Sequence, residues 1–376
     1  MAESQIDLLP GIDSIDKESR LSYKIKPEVV REKIYERLDT QPQPAGYSGK
    51  IPWIVQQQIA ATNGIHFIDS IGTLSEYPIP EIPVGNAQST GELLLDIGNG
   101  WGRWLVAAAN KNYIPVGIDI RLEFCETARQ VLRANGKNGY SLVADLQNLP
   151  FLNNTFNVAW SFSVIQHTHL DRFTRCLSHI ERILADNAYC YLEFPNRNGI
   201  RNRFGPAAKP NNSDFDSWDV RYYTPEEYEK IFRIFFNNYS YHNHSVLGIG
   251  ILPGDGKYTR GIKNKLIVSA SRTLSNLATL IPQIKSVADS IYIKSVKHGK
   301  ADNNSLEALK NFQTAHARQP SDNLNMVHLL KCPVSGEAVH LSEDRTEVIS
   351  RFARLAYPVK NDIPIMIASE ARSFSI

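Results

Sequence analysis

Cysteine is scarce in this chain: four in 376 residues, at positions 125, 176, 190 and 332, with no paired spacing. That argues against a disulfide-stapled scaffold and against paired Cys-x-x-Cys knuckles for a structural metal. No stretch approaches the roughly 18 consecutive apolar residues of a spanning helix, so no transmembrane segment is expected. Charge of one sign is also missing. Lys and Arg number 41 against 39 Asp and Glu, and the net charge of +2 gives no global bias toward nucleic acid or an anionic membrane. No secretory leader is read at the start, and the expected setting is a reducing cytoplasm, with any membrane contact peripheral. What is present is ample apolar content, 42%, enough over this length for a substantial core and two domains.

The chemistry concentrates in residues 91–103, Gly-Glu-Leu-Leu-Leu-Asp-Ile-Gly-Asn-Gly-Trp-Gly-Arg. Leu93 to Ile97 form the continuous apolar run of a strand buried on both faces, and Gly98, Gly100 and Gly102 supply a tight turn that lets backbone approach a ligand. A helix is expected from Arg103. Ile114 to Ile118 read as a second strand ending in Asp119, an acid placed to accept hydrogen bonds from ribose hydroxyls. A dinucleotide fingerprint needs its third glycine three positions after the second, where this chain has Arg103, so the pattern is D-x-G-x-G-x-G instead. Ser141 to Ala144 then read as a third strand before Asp145 and Leu149-Pro150-Phe151, and Phe156 to Ser161 as a fourth. Apolar residues at 173, 177, 180 and 184 mark a helix over Leu170 to Leu184, with a turn at Ala185-Asp186-Asn187 and a fifth strand from Ala188 to Phe194.

In that order these pieces resemble class I S-adenosylmethionine-dependent methyltransferases, most closely the ubiquinone and menaquinone biosynthesis group, over about residues 90–198. The resemblance implies a doubly wound, Rossmann-like α/β sheet of seven strands with an antiparallel last strand, and S-adenosyl-L-methionine as cofactor. It places the cofactor against Asp96, Gly98, Asn99, Gly100 and Gly102, then Asp119 with Ile120, Asp145 with Leu146 at the adenine, and Ser161. His167, beyond the fourth strand, is the candidate catalytic base, its ordinary pKa near ~6.5 suiting proton removal. Arg197, Tyr222 and Tyr223 are the candidate acceptor contacts.

Residues 1–45 read as a loosely ordered arm and 46–300 as the methyltransferase domain, with a helix over Val55 to Ala61. Thr224, before Pro225-Glu226-Glu227, has the form of an N-cap. Strands six and seven are expected at Asn238 to Gly248 and Ser290 to Val296, separated by a basic helical insertion at about 250–288. Residues 257–300 hold nine Lys and Arg against one acid, Asp289. Such a segment suits a solvated lid, or contact with an anionic surface: membrane, polyanionic glycan or RNA.

After a linker at 301–325, residues 326–372 resemble the small, often zinc-binding activator subunit of tRNA, rRNA and release-factor methyltransferases and its short bacterial relatives. The phrase Arg354-Leu355-Ala356-Tyr357-Pro358 with Asn361-Asp362-Ile363-Pro364 carries that resemblance. This mostly-β unit is too small to bury much core alone and is expected to dock on its neighbour. Zinc needs four ligands, and Ser335 stands where a second cysteine would follow Cys332, so no metal is expected, at His242 and His244 as little as here. The expected acceptor is a small molecule, lipid or glycan intermediate, methylated at oxygen or carbon. An Asn/Asp-Pro-Pro-Tyr motif for nitrogen acceptors is replaced by Ser161-Phe162-Ser163-Val164. The alternative is a methyltransferase of RNA or protein assisted by its fused activator-like unit.

Overall fold

The computed structural model describes residues 42–63, 65–204, 220–248, 250–281, 286–298 and 303–375. All but the last four residues of the expected N-terminal arm therefore lie outside the described residues. Seven strands form one sheet in the order β3-β2-β1-β4-β5-β7-β6. They are β1 (Leu93–Ile97), β2 (Ile114–Asp119), β3 (Tyr140–Val143), β4 (Phe156–Ser161), β5 (Leu184–Pro195), β6 (Asn238–Ser245) and β7 (Ser290–Val296). β1 pairs in parallel with β2 and β4 and is buried at every residue, as its unbroken apolar run requires. β7 runs antiparallel between β5 and β6. This is a Rossmann-like α/β sheet with an inserted antiparallel strand.

Helices α1 (Trp53–Asn63), α2 (Arg103–Asn110), α3 (Leu122–Ala134), α4 (Leu170–Ile183), α5 (Ile200–Phe204), α6 (Pro225–Phe235) and α7 (Ile262–Leu280) accompany the sheet. α6 begins with a capping box, Thr224 Oγ1 accepting from Glu227 N at 3.2 Å and Glu227 Oε2 from Thr224 N at 2.7 Å. α1 packs through Val55 and Ile59, with Ile51 just ahead of it, against Trp101, Leu105 and Val131. The Trp101 indole also donates to Asn63 Oδ1 at 3.0 Å, pinning that helix over the glycine turn.

Two boundaries differ from expectation. The turn foreseen at 185–187 lies inside β5, which follows α4 directly. There Asn187 takes φ +59°, a conformation asparagine tolerates, and a register shift opposite Phe156 to Val158 absorbs the irregularity. β6 stops at Ser245 rather than Gly248, and Gly248 turns away with φ +92°.

The segment read as a linker is mostly helix, α8 (Asn303–Arg318), because tertiary contact supplies a partner that local sequence does not show. Phe312 packs edge-on to Tyr140 of β3 at 5.2 Å, and His316 Nδ1 shares a 2.6 Å hydrogen bond with the Tyr140 hydroxyl. Beyond it a second, five-stranded antiparallel sheet comprises β8 (His340–Leu341), β9 (Glu347–Ser350), β10 (Leu355–Lys360), β11 (Ile363–Pro364) and β12 (Arg372–Ser373). Within it Cys332 Sγ lies 3.2 Å from the Tyr357 hydroxyl and accepts from Ser335 N at 3.4 Å. This unit docks on β3, the edge of the large sheet: Met366 N donates to Val143 O at 2.8 Å, and Leu152 N to Leu329 O at 2.9 Å. Apolar residues of both units, among them Leu142, Phe151, Leu330, Val348 and Met366, belong to one buried cluster.

Asn323 closes the seam. Its side chain accepts from Ser141 N at 2.9 Å and donates to Ser141 O at 2.9 Å and Asp362 O at 2.8 Å, acting on the edge strand as a neighbouring backbone would. Asn323→Ala orphans two buried backbone groups, and thermal or urea unfolding should show a loss of roughly 2–4 kcal/mol. Asn325→Ala, which removes bonds at a less buried place, should cost under about 1 kcal/mol. Equal effects would refute this account of the seam.

Candidate functional site

The three glycines turn the chain from β1 into α2 with φ of +74° at Gly98, +49° at Gly100 and +94° at Gly102. Each has a separate reason to be glycine. A Cβ on Gly98 would stand 2.2 Å from Val164 Cγ2, and one on Gly102 2.8 Å from Ala128 Cα. At Gly100 the nearest atom would be 3.9 Å away, on Thr62, so that glycine leaves the concave side of the turn open. Asn99 braces the turn: its Oδ1 accepts from Ser141 Oγ at 3.1 Å and its Nδ2 donates to Gly100 O at 2.8 Å.

Three carboxylates at the strand ends border this turn. Asp96 is fully buried and neither oxygen has a hydrogen-bond partner; burial pushes its pKa up to about 8, against the pull of Arg103. Asp119 accepts from Gly100 N and Arg121 N, both at 3.1 Å, and burial raises it to about 6. Asp145 accepts from Gln147 N at 2.9 Å, and burial raises its pKa too. Ile120 and Leu146 flank these acids half-buried, and the Ser161 hydroxyl at the end of β4 is buried without a partner.

These residues fit S-adenosylmethionine. The donor-less Asp96 carboxylate suits its cationic methionine end, each Asp119 oxygen keeps a lone pair for a ribose hydroxyl, and Asp145 can accept from an amine. The open face of Gly100 leaves room for close approach.

The other predicted residues divide. His167 ends a 3-10 turn, Ile165–His167, that Arg221 fastens: Arg221 N donates to Gln166 O at 2.8 Å and its Nη1 to His167 O at 2.9 Å. Those bonds bring half-buried Tyr222 beside the His167 turn. Tyr223, taken from sequence as an acceptor contact, is instead buried in the core at 5.5 Å from the Tyr228 ring, because its chain bridges to Asn196. Arg197 lies over Tyr223, 6.0 Å from its ring, and 3.8 Å from Glu227, which gives it a partner at the start of α6.

Sequence reasoning missed a second group. Glu193 of β5 is fully buried and accepts from Ser163 N at 2.7 Å, Ser163 Oγ at 3.2 Å and the Ser290 hydroxyl, holding Ser163 at φ +59°. Arg103, read only as a helix start, is buried with its guanidinium carbon 5.2 Å from the Trp104 ring and 5.0 Å from Phe162. Its Nη1 has no partner, and burial lowers it to about 10 despite Asp255, Asp96 and Glu193. His244 lies 4.8 Å from Phe162 and is held neutral, its pKa lowered by burial to about 3. The only sequence signal for Glu193 was an acid inside the apolar run Tyr191-Leu192-Glu193-Phe194.

Residues 94–187 match the family model described as a methyltransferase domain. A UPF0434 protein of Pseudomonas aeruginosa strain PAO1 is 47% identical over 51 residues, 14% of this chain and 84% of that protein. One from Brucella ovis is 46% identical over 52 residues, 14% of this chain and 81% of that protein. Among solved structures, a SAM-dependent methyltransferase from Archaeoglobus fulgidus aligns at 16% identity and a TM-score of 0.36, covering 55% of this chain and 86% of that one. The complex of the Haloferax volcanii Trm112 methyltransferase activator with a methyltransferase aligns at 17% identity and 0.39, covering 58% and 86%.

Two measurements test the cradle. Asp119→Ala should weaken S-adenosylmethionine binding by about 100-fold in calorimetry, the loss of a charge-assisted pair of hydrogen bonds; unchanged affinity would remove Asp119 from the site. Asp96 has a folded pKa above its ordinary 3.8, so its favourable contribution to stability is present at low pH and lost as pH rises toward about 8. The free protein should therefore melt at a lower temperature at pH 8 than at pH 6. Asp96→Asn should flatten that slope while weakening donor binding, and a slope unchanged by the substitution would sink the assignment.

Proposed function

We propose that this S-adenosylmethionine-dependent methyltransferase, which over a 51-residue segment belongs to the UPF0434 protein family, methylates an oxygen or carbon of a small molecule, lipid or glycan intermediate. The observation that carries the acceptor reading is the loop after β4. A nitrogen-methylating site needs groups that clamp an amide or exocyclic amine, whereas this loop runs Ser161-Phe162-Ser163-Val164 with Phe162 packed into the core against Trp104, Trp160 and His244, at ring-centroid distances of 5.0, 6.4 and 4.8 Å. The lack of such a clamp supports an oxygen or carbon acceptor.

When bound, S-adenosylmethionine supplies an electrophilic methyl on a sulfonium, so the protein's task is mainly in-line positioning. Asp96, Asp119 and Asp145 hold and orient the donor, with Gly98, Asn99, Gly100 and Gly102 shaping its cradle and Ile120, Leu146 and Ser161 lining it. Glu193 is a positioning residue that fixes the loop through Ser163. His167 accepts a proton from the acceptor's hydroxyl or acidic carbon at its imidazole, and Tyr222 contacts the acceptor.

We assign the methyltransferase domain to residues 46–300 and the activator-like unit to 326–372, which stabilises the first by covering β3. A second reading makes that unit an aid to methylation of RNA or protein. Label from radioactive S-adenosylmethionine in a host extract should enter the organic-soluble or small-molecule fraction. Label confined to RNA or protein would replace the first reading with the second. With the labelled acceptor in hand, His167→Ala should lower kcat by at least about 100-fold with donor affinity unchanged; an unchanged kcat would dismiss His167 as the base.

A further inference from the structure

The insertion between β6 and β7 carries the 19-residue helix α7, whose amphipathicity is inverted. A surface helix ordinarily turns its apolar stripe to the core. Here the inward residues are Val268, Ser271 and Ala278, with Leu274 partly buried against the core, Ser271 Oγ bonded to Ser245 Oγ at 2.8 Å and Ser275 O accepting from Asn243 Nδ2 at 3.4 Å. The outward face repeats at helical spacing as Ile262, Leu266, Ala270, Thr273 and Leu277, all exposed. Ile262 is 80% exposed, Leu266 63%, Leu277 40%, and Ile281 just beyond the helix 46%.

Cations flank the stripe. At 100° per residue Lys265 and Arg272 fall on one side and Lys263 on the other, with Arg260 one turn ahead. All four are exposed, and no acid occurs between Asp255 and Asp289. A partner helix in a coiled coil would call for charges of both signs beside the seam. An apolar face bordered only by Lys and Arg complements a surface that is apolar below and anionic at its rim. The helix, about 28 Å long, is among those not apolar enough to cross a membrane, so it would lie in the surface plane.

We propose that α7 is an interfacial anchor that docks the protein on an anionic lipid bilayer, burying Ile262, Leu266 and Leu277 at the headgroup boundary while Lys263, Lys265 and Arg272 meet the phosphates. The insertion also joins that surface to the site. Seven residues before α7, buried Asp255 is the strongest favourable charge acting on Arg103, and Tyr258 O accepts from Ser70 Oγ at 2.7 Å.

Flotation of the full chain with vesicles tests the anchor. The wild type should rise with phosphatidylglycerol–phosphatidylcholine vesicles and stay behind with phosphatidylcholine alone. The pair Leu266→Asp and Leu277→Asp, and separately Lys263→Glu with Lys265→Glu, should each weaken the anionic binding by about tenfold or more. Calorimetry with S-adenosylmethionine should give wild-type affinity for both variants, which shows them folded and keeps failure here separate from failure of the donor assignment. Absence of wild-type flotation, or flotation indifferent to both variants, overturns the anchor. So does a concentration-dependent dimer abolished by Leu266→Asp and Leu277→Asp without vesicle uptake, which would make a second copy the occupant.

Discussion

An unpartnered, fully buried carboxylate is an expensive thing for a fold to keep, and Asp96 is one. Everything around the cradle follows from holding that group at the end of β1. The glycine turn must pass directly beside it, which fixes Gly98 against Val164 and Gly102 against Ala128. Arg103, in the first turn of α2, supplies the compensating charge, but it is itself desolvated and divided among Asp96, Asp255 and Glu193. Among the described residues no close ion pair relieves Asp96. A cationic ligand relieves it, since a buried charge costs least when an opposite charge is brought to it. With its pKa raised to about 8 the free group holds its proton at neutral pH, and on the proposed reading a sulfonium donor would bind best to the ionised form.

The edge of the sheet nearest the cradle, β3, is covered by the C-terminal unit. β3 would otherwise expose a row of backbone donors and acceptors, and Leu142 and Phe151 share a buried cluster with residues of the C-terminal unit. The C-terminal unit, too small to bury its own core, and the methyltransferase sheet, open at one edge, complete each other. Asn323 does with one side chain what a further strand would do with backbone. α8 adds Phe312 and His316 under Tyr140, so the chain between the two units belongs to the seam rather than merely spanning it.

What could be read from sequence was what local pattern encodes. The continuous apolar runs of β1 and β4, the D-x-G-x-G-x-G turn, Asp119 at a strand end and the Thr224 cap each declare themselves within a few residues. Asp96, Asp119 and Asp145 fall together because the parallel topology brings consecutive strand ends to one side. Glu193, Arg103 and His244 were not legible because their meaning lies in burial and in contacts across long sequence separations. Tyr223 misled for the same reason: an aromatic beside a helix cap reads equally well as ligand contact or core, and the bridge to Asn196 puts it in the core. α8 was missed because its apolar face is set by Tyr140, far away in the chain.

The two halves of the site are built differently, and that difference bears on how such an enzyme acquires an acceptor. The donor side is short-range: a turn, two strand ends and backbone hydrogen bonds, with little freedom to vary without loss of the glycines' clearances. On the reading proposed above, the acceptor side would gather the β4 loop, Glu193, Tyr222 and the insertion bearing Asp255, each from a separate stretch of sequence. On that reading, changing any one of these would alter what can sit beside the methyl group while leaving Asp96 and Asp119 where they are. If the proposed anchor and acceptor side hold, an insertion that carries Asp255 at one end and an outward apolar helix at the other would link acceptor choice to the surface on which the acceptor is met.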